Sequence, residues 1–227
     1  MLFLYNGRHM VKNLIFDLDG TLLDTLPGIT LAINEALAEC GYPYSFTEEE
    51  TKSLIGGGAD RLVRKALKDK GNDEDAFAAL KKAYMPLYRK FQETNTGMFS
   101  GLEAVLRAFH SEGKRLFVVS NKPDPLAKDA VKKFLPPLFA GVTGQKEGFP
   151  PKPNPASTFS MMKEFGLNPL ESVYIGDSHF DVETAHNAHL RCILVTWGYG
   201  DYKEPLICES DRHVSSPTEL YSVVQSL

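Results

Sequence analysis

Four short apolar runs, rich in β-branched and aromatic residues, constrain the fold of this chain more than any other feature. They lie at residues 14–16, 116–119, 173–175 and 192–195. Each run is too short for a helix and is bounded by polar residues or glycine. Continuous apolar runs of this length are typical of strands that are buried on both faces, as in a parallel sheet.

Helical patterns alternate with the later runs. They cover residues 101–112, 125–134, 155–165 and 180–188. Strands that alternate with helices predict a doubly wound α/β core, that is, a Rossmann-like parallel sheet with helices on its faces. In such a sheet the chemistry lies at the carboxyl ends of the strands.

The interval between the first and second runs has a different pattern. It carries helical patterns at residues 27–40, 47–55, 59–70 and 73–92, and no strand signal. Thr47 and Glu50 have the spacing of a capping box at a helix start. We therefore predict an all-helical cap domain at residues 25–98, inserted into a core of residues 10–24 and 99–227. Residues 1–9 would form an N-terminal extension.

The overall composition narrows the classes of function. The chain is 43% hydrophobic and 24% charged, with a net charge of −4, so it offers no basic footprint for nucleic acid. No apolar stretch is long enough for a membrane helix. Three widely spaced cysteines without a CxxC pair favour reduced thiols. We expect a cytoplasmic protein, monomeric or homodimeric, without a nucleic-acid or membrane partner.

Acidic residues follow the first and third apolar runs. Asp17 and Asp19 are two positions apart, so an extended backbone directs both side chains the same way. Asp177 and Asp181 are four positions apart, which places them on one face of a helix. Four carboxylates in one place would repel each other strongly. A hard divalent cation relieves that repulsion, and oxygen ligands select Mg²⁺.

Groups that can bind phosphate accompany these acids. Ser120 and Asn121 follow the second run, and Lys152 precedes a helix in a proline-rich segment. Their small donors and positive charge suit the oxygens of a phosphoryl group. A carboxylate nucleophile, a second carboxyl group, a metal and a positive clamp are the parts needed for covalent phosphoryl transfer.

Taken in order, four segments resemble the four motifs of the haloacid dehalogenase superfamily. They are residues 17–25, 120–122, 152–153 and 176–181. The resemblance covers the core from about residue 11 to 216. The insert resembles the helical cap of the phosphoglycolate phosphatase branch, to which segments 120–123, 152–155 and 195–200 are especially similar.

This resemblance implies a role for each motif residue. Asp17 would be the nucleophile, and Asp19 would be the general acid toward the leaving group and then the general base toward water. The Asp17 carboxylate, the Asp19 backbone carbonyl and Asp177 would hold Mg²⁺. Asp181 would orient Asp177 or a water on the metal. Two residues would bind the phosphoryl oxygens: Ser120 and Lys152.

Two further segments carry expectations of their own. The glycine-rich loop at residues 56–58 lacks the pattern of a nucleotide P-loop, and we expect Gly57 and Gly58 to form a flexible cap loop that faces the site. Arg61 is a candidate for contact with a substrate carboxylate. Residues 187–190 lack the Ala-Gly pair expected to close their helix, so the turn there is expected to end differently.

The predicted function is hydrolysis of a small phosphorylated metabolite, with phosphoglycolate as the leading candidate. A sugar-phosphate mutase would keep Asp17 and Asp19 but return the phosphoryl group to a sugar hydroxyl. A haloacid dehalogenase would need only the nucleophile, and the presence of Asp19 argues against it. A non-catalytic binding protein on the same fold would have lost a nucleophile or metal ligand, and none is lost here.

Overall fold

The computed structural model describes residues 10–202 and 204–227, so the predicted extension at residues 1–9 lies outside the described part. The strands there are β1 (Asn13–Phe16), β2 (Leu23–Asp24), β3 (Gly97–Met98), β4 (Arg115–Pro123), β5 (Phe139–Gln145), β6 (Ser172–Gly176), β7 (Arg191–Val195) and β8 (Arg212–Val214). Six of them form one sheet in the order β5-β4-β1-β6-β7-β8, and every neighbouring pair is parallel. All four predicted strands are therefore confirmed.

Helices connect and flank the strands. They are α1 (Leu26–Glu39), α2 (Glu48–Lys52), α3 (Gly58–Ala66), α4 (Glu74–Gln92), α5 (Leu102–Ser111), α6 (Asp124–Phe134), α7 (Ala156–Phe165), α8 (His179–Asn187), α9 (Glu204–Glu209) and α10 (Pro217–Ser226). Short 3-10 turns add Lys68–Lys70 and Pro169–Glu171. Among the described residues, no helix combines the length and apolar character needed to cross a membrane.

The sheet is buried on both faces, as the apolar runs predict. Along β1, Leu14 and Phe16 pack into one apolar cluster, whereas Ile15 packs into another on the opposite face. In β4, Phe117 and Val118 divide between the same two clusters. Because successive side chains of a strand point to opposite faces, a run without polar residues needs helices on both sides of the sheet.

Helices α1, α3 and α4 pack around a third apolar cluster, which includes Ile33, Leu62 and Tyr84, and Leu126 of α6 joins it. The predicted capping box at the start of α2 is present: Glu50 N donates to Thr47 Oγ1 at 3.2 Å, and Thr47 N donates to Glu50 Oε2 at 2.8 Å. The prediction that this interval is entirely helical is wrong at its end. Gly97–Met98 forms β3, which pairs antiparallel with β2 in a ribbon too short to leave a strand pattern.

The end of α8 also differs from expectation. His189 takes the left-handed conformation, with φ of 58°, at the position where glycine is usual. Leu190 N then donates to Ala185 O at 2.8 Å, as in a glycine-closed helix end. The turn therefore closes in the ordinary way, and His189 replaces the missing glycine at a cost in backbone strain.

Candidate active site

The predicted acidic residues meet at the carboxyl edge of the sheet. Asp17 follows β1, and its amide donates to Ile175 O of the neighbouring strand at 2.9 Å. One carboxylate oxygen from each of Asp17, Asp177 and Asp181 lies within 4.8 Å of the others, and all three residues are buried. Parallel strands bring these side chains together because their carboxyl ends share one edge.

Lys152 lies between two of these carboxylates. Its Nζ is 2.8 Å from Asp17 Oδ1 and 2.7 Å from Asp181 Oδ1, and its side chain is buried. Asp181 Oδ2 accepts hydrogen bonds from Ser178 N at 3.0 Å and Ser178 Oγ at 2.7 Å, which forms a capping box at the start of α8. Both oxygens of Asp181 are thus bonded to the protein, and Asp181 fixes the position of the Lys152 ammonium beside Asp17.

Asp177 is held by two residues to which the sequence analysis assigned no role. Thr21 Oγ1 donates to Asp177 Oδ1 at 3.0 Å, and Tyr199 N donates to Oδ2 at 2.8 Å. The approach of the Tyr199 loop requires glycine at position 198, because a Cβ there would lie 2.4 Å from Asp177 Oδ2 and 2.2 Å from Gly20 O. Segment 195–200 was notable in the sequence only for its family resemblance.

Asp19 is paired with a lysine that the sequence analysis also missed. Lys122 Nζ lies 2.9 Å from Asp19 Oδ1, and it also donates a hydrogen bond to the hydroxyl of Tyr88 on α4. Lys122 directly follows Ser120 and Asn121 along β4, so its position near the site could have been predicted from the sequence. Its contact with Tyr88 could not, because Tyr88 belongs to a helix more than 30 positions earlier in the chain.

The side-chain amide of Asn121 is hydrogen-bonded to backbone atoms of Lys152 and Gly56. Its Oδ1 accepts from Lys152 N at 2.7 Å, and its Nδ2 donates to Lys152 O at 3.2 Å and to Gly56 O at 2.9 Å. The amide therefore clamps the Lys152 segment and attaches it to the glycine loop. Ser120 lines the same cleft as Asp17, and its Oγ accepts from Lys122 N at 3.2 Å.

The glycine loop and Arg61 lie beside this edge of the sheet. Gly58 lines the cleft with Asp17, whereas Gly57 packs against the Arg61 side chain. The Arg61 guanidinium lies 5.0 Å from the centre of the Phe180 ring on α8. It lines a cavity of about 490 Å³ that also contains Asp17. Arg61 and Asp17 therefore line the same cavity.

Comparison with known proteins identifies the family. Residues 14–195 match the haloacid dehalogenase-like hydrolase family, which is most of the chain. This protein is a haloacid dehalogenase-like hydrolase. It is 32% identical over 192 residues to a phosphoglycolate phosphatase of Yersinia pseudotuberculosis, covering 83% of this chain and 82% of the relative. It is also 36% identical over 192 residues to a phosphoglycolate phosphatase of Cereibacter sphaeroides, covering 83% and 87%.

Solved structures agree with this assignment to the haloacid dehalogenase-like hydrolases. A crystal structure of a predicted phosphoglycolate phosphatase from Haemophilus somnus superposes with a TM-score of 0.87 at 29% identity. The match covers 96% of this chain and 100% of the other. The sequence-based prediction of the superfamily and its α/β fold is confirmed.

The carboxylates of this hydrolase fit a divalent cation. Burial, reinforced by repulsion from Asp181, raises the pKa of Asp17 to about 7 and the pKa of Asp177 well above its usual value. Burial alone would lower the pKa of Lys152, but Asp17 and Asp181 raise it well above its usual value. One lysine does not offset three buried carboxylates, and an all-oxygen ligand set suits a hard cation such as Mg²⁺ or Ca²⁺.

Proposed function

We propose that this hydrolase is a Mg²⁺-dependent phosphatase that acts on a small phosphate monoester through a phosphoaspartate at Asp17. Phosphoglycolate is the leading substrate. One observation carries the proposal: the Asp17 carboxylate lies within 4.8 Å of two further carboxylates and 2.8 Å from the Lys152 ammonium. This arrangement supplies a nucleophile beside positive charge for the incoming phosphoryl group. The relatives named phosphoglycolate phosphatase support the choice of substrate.

The proposed reaction has two steps on this chain's own residues. An Asp17 oxygen attacks phosphorus, the bond from phosphorus to the ester oxygen breaks, and Asp19 donates a proton to the departing alkoxide. Water then attacks the phosphoaspartate while Asp19 takes a proton from it, which frees the Asp17 carboxylate and inorganic phosphate. Ser120 and Lys152 bind the phosphoryl oxygens and stabilise the charge on them.

Three residues would hold Mg²⁺ in this proposal. They are Asp17 and Asp177 through their carboxylates and Asp19 through its backbone carbonyl. Asp181 would act indirectly, because its Oδ1 is bonded to the Lys152 ammonium, whereas the donors to the two Asp177 oxygens are neutral. When bound, the cation offsets the charge of the carboxylates and of the phosphoryl group, so that two anions can approach.

We further propose that residues 25–98 form a cap over a core of residues 10–24 and 99–227. Its two connections to the core lie together at the β2–β3 ribbon. The Tyr199 hydroxyl accepts hydrogen bonds from the amides of Thr25, at 2.6 Å, and Leu26, at 3.0 Å, where the cap begins. Closure of such a cap would exclude bulk water during phosphoryl transfer.

A panel of phosphorylated metabolites tests the function. We expect Mg²⁺-dependent release of inorganic phosphate from 2-phosphoglycolate, with a higher kcat/KM than from sugar phosphates. After metal stripping, excess EDTA should abolish the release, because the carboxylates would then repel the phosphoryl group. Conversion of β-glucose 1-phosphate into the 6-phosphate without net phosphate release would instead indicate a mutase. Full turnover in EDTA would contradict the metal dependence.

The metal site gives a second prediction. Gly198→Ala should weaken Mg²⁺ binding by roughly tenfold or more, because its Cβ would displace the Asp177 carboxylate or strain the loop. Isothermal titration calorimetry measures the affinity, and thermal unfolding shows that the variant is folded. The matched control is Gly97→Ala, where an added Cβ meets nothing within 4 Å. Unchanged affinity in a folded Gly198→Ala protein would remove Asp177 from the proposed ligands.

A further inference from the structure

Lys122 is a buried cation to which the proposed reaction gives no role. It lies near the end of β4, and its side chain is 0% exposed. Its ammonium contacts Asp19 Oδ1 at 2.9 Å and the Tyr88 hydroxyl, and the Tyr88 ring centre lies 4.4 Å away. One ammonium therefore joins the proposed acid–base residue to helix α4.

The contact with Lys122 restricts the orientation of the Asp19 carboxylate. A buried ammonium is costly unless it is paired and hydrogen-bonded, so Lys122 favours a geometry in which its carboxylate partner stays in place. Charge-assisted hydrogen bonds of this kind are short and directional. Since Lys122 holds Oδ1, Oδ2 is the Asp19 oxygen that can exchange a proton with a leaving group or with water.

Tyr88 ties the same contact to the helical segment α1–α4. Its ring stacks on that of Tyr84 with centres 5.3 Å apart, and both side chains are buried in the apolar cluster of this segment. Tyr88 therefore moves with α4 as one packed unit. Any displacement of the segment relative to the sheet would take the Tyr88 hydroxyl away from Lys122.

We infer that Lys122 is a positioning residue, which sets the orientation of Asp19 and makes it depend on the docking of α4 through Tyr88. The inference rests on the proposed function, because it assigns Asp19 the proton transfers. If the role of Lys122 were purely structural, its loss would instead lower the fraction of folded protein and reduce phosphorylation and dephosphorylation together.

Lys122→Met separates these two roles, with p-nitrophenyl phosphate as the substrate. Its leaving group hardly needs a proton, so we expect a stoichiometric burst of p-nitrophenol, followed by a steady state roughly ten- to a hundredfold slower than in the wild type. Lys122→Arg, which keeps the charge, should recover part of the loss. Lys128→Met, at an exposed lysine of α6 that pairs with Asp124, is the matched control and should behave as wild type.

A double-mutant cycle decides whether Lys122 acts through Asp19. Asp19→Ala with Lys122→Met should be no slower than Asp19→Ala alone. Tyr88→Phe should lower the steady-state rate roughly two- to tenfold, and it should have no effect when Lys122 is already Met. If Lys122→Met folds poorly, the single variants Tyr88→Phe and Lys122→Arg, which keep the packing, still test the inference.

Three results would overturn the inference: additive losses in the cycle, an unchanged steady state in folded Lys122→Met, or a burst and a steady state that fall by the same factor. Failure of the proposed function looks different. In that case the wild type would release no phosphate from any monoester, or Asp17→Asn would still turn over.

Discussion

Replacing Asp17 with asparagine should abolish both phosphorylation of the protein and turnover, with a loss on the order of 10⁴-fold or more. A neutral amide is a poor nucleophile toward phosphorus, and the two other carboxylates of the buried cluster are each held by hydrogen bonds to the protein. Asp177 is bonded to Thr21 and to the Tyr199 amide, and Asp181 is bonded to Lys152 and Ser178. Steady-state phosphate release and intact-protein mass spectrometry after a rapid acid quench measure the two effects.

The control for this variant is Asp129→Asn on α6, where the same change falls on an exposed residue. It should leave turnover within about twofold of wild type, since isolated surface substitutions have small effects. Thermal unfolding of both variants excludes a loss of structure. Near-normal turnover of Asp17→Asn, or phosphate trapped on another residue, would contradict the mechanism at its first step.

Replacing Asp19 with alanine should trap the phosphoaspartate. p-Nitrophenolate leaves without a proton, so Asp17 should still be phosphorylated, but no base then activates the water. We expect a stoichiometric burst of p-nitrophenol and a steady state slowed by roughly a hundred- to ten-thousandfold. The acid-quenched protein should carry one phosphate, which should be missing in Asp17→Asn.

A second variant at this position guards against a simple folding defect. Alanine leaves the buried Lys122 ammonium without its carboxylate, whereas Asp19→Asn keeps an oxygen for that hydrogen bond. Asparagine cannot exchange a proton, so Asp19→Asn should show the same burst. A normal steady-state rate in Asp19→Asn would show that Asp19 is not the acid–base residue.

The sequence predicted the interior of the fold better than its edges. The strands β1, β4, β6 and β7 are buried, and each appears in the sequence as a continuous apolar run. The edge strands β5 and β8 were missed, because residues of an edge strand are partly exposed and need no such run. The ribbon of β2 and β3 was missed for another reason: two residues per strand are too few to show a period.

The candidate site divides in a similar way. Asp17, Asp177 and Lys152 were predictable because strand ends and the segments before helices converge on one edge of a parallel sheet. Two contacts could not be predicted: that of Lys122 with Tyr88 and that of Tyr199 with Asp177. Each joins elements that lie far apart in the chain, and only the packing of the helical segment and the final loop brings them together.

The β2–β3 ribbon also has a consequence for how the chain assembles. β1 and β4 are neighbours in the sheet, although Asn13 and its partner Arg115 are separated by about 100 residues. Once Leu23 pairs with Met98, the chain that remains to be closed between β1 and β4 is about a quarter as long. Each halving of a loop's length lowers the entropic free-energy cost of closing it by about 0.6 kcal/mol. The ribbon therefore favours the pairing of β1 with β4 by about 1 kcal/mol. Residues between α1 and α4 can therefore be lengthened or exchanged with little effect on the entropic cost of building the sheet.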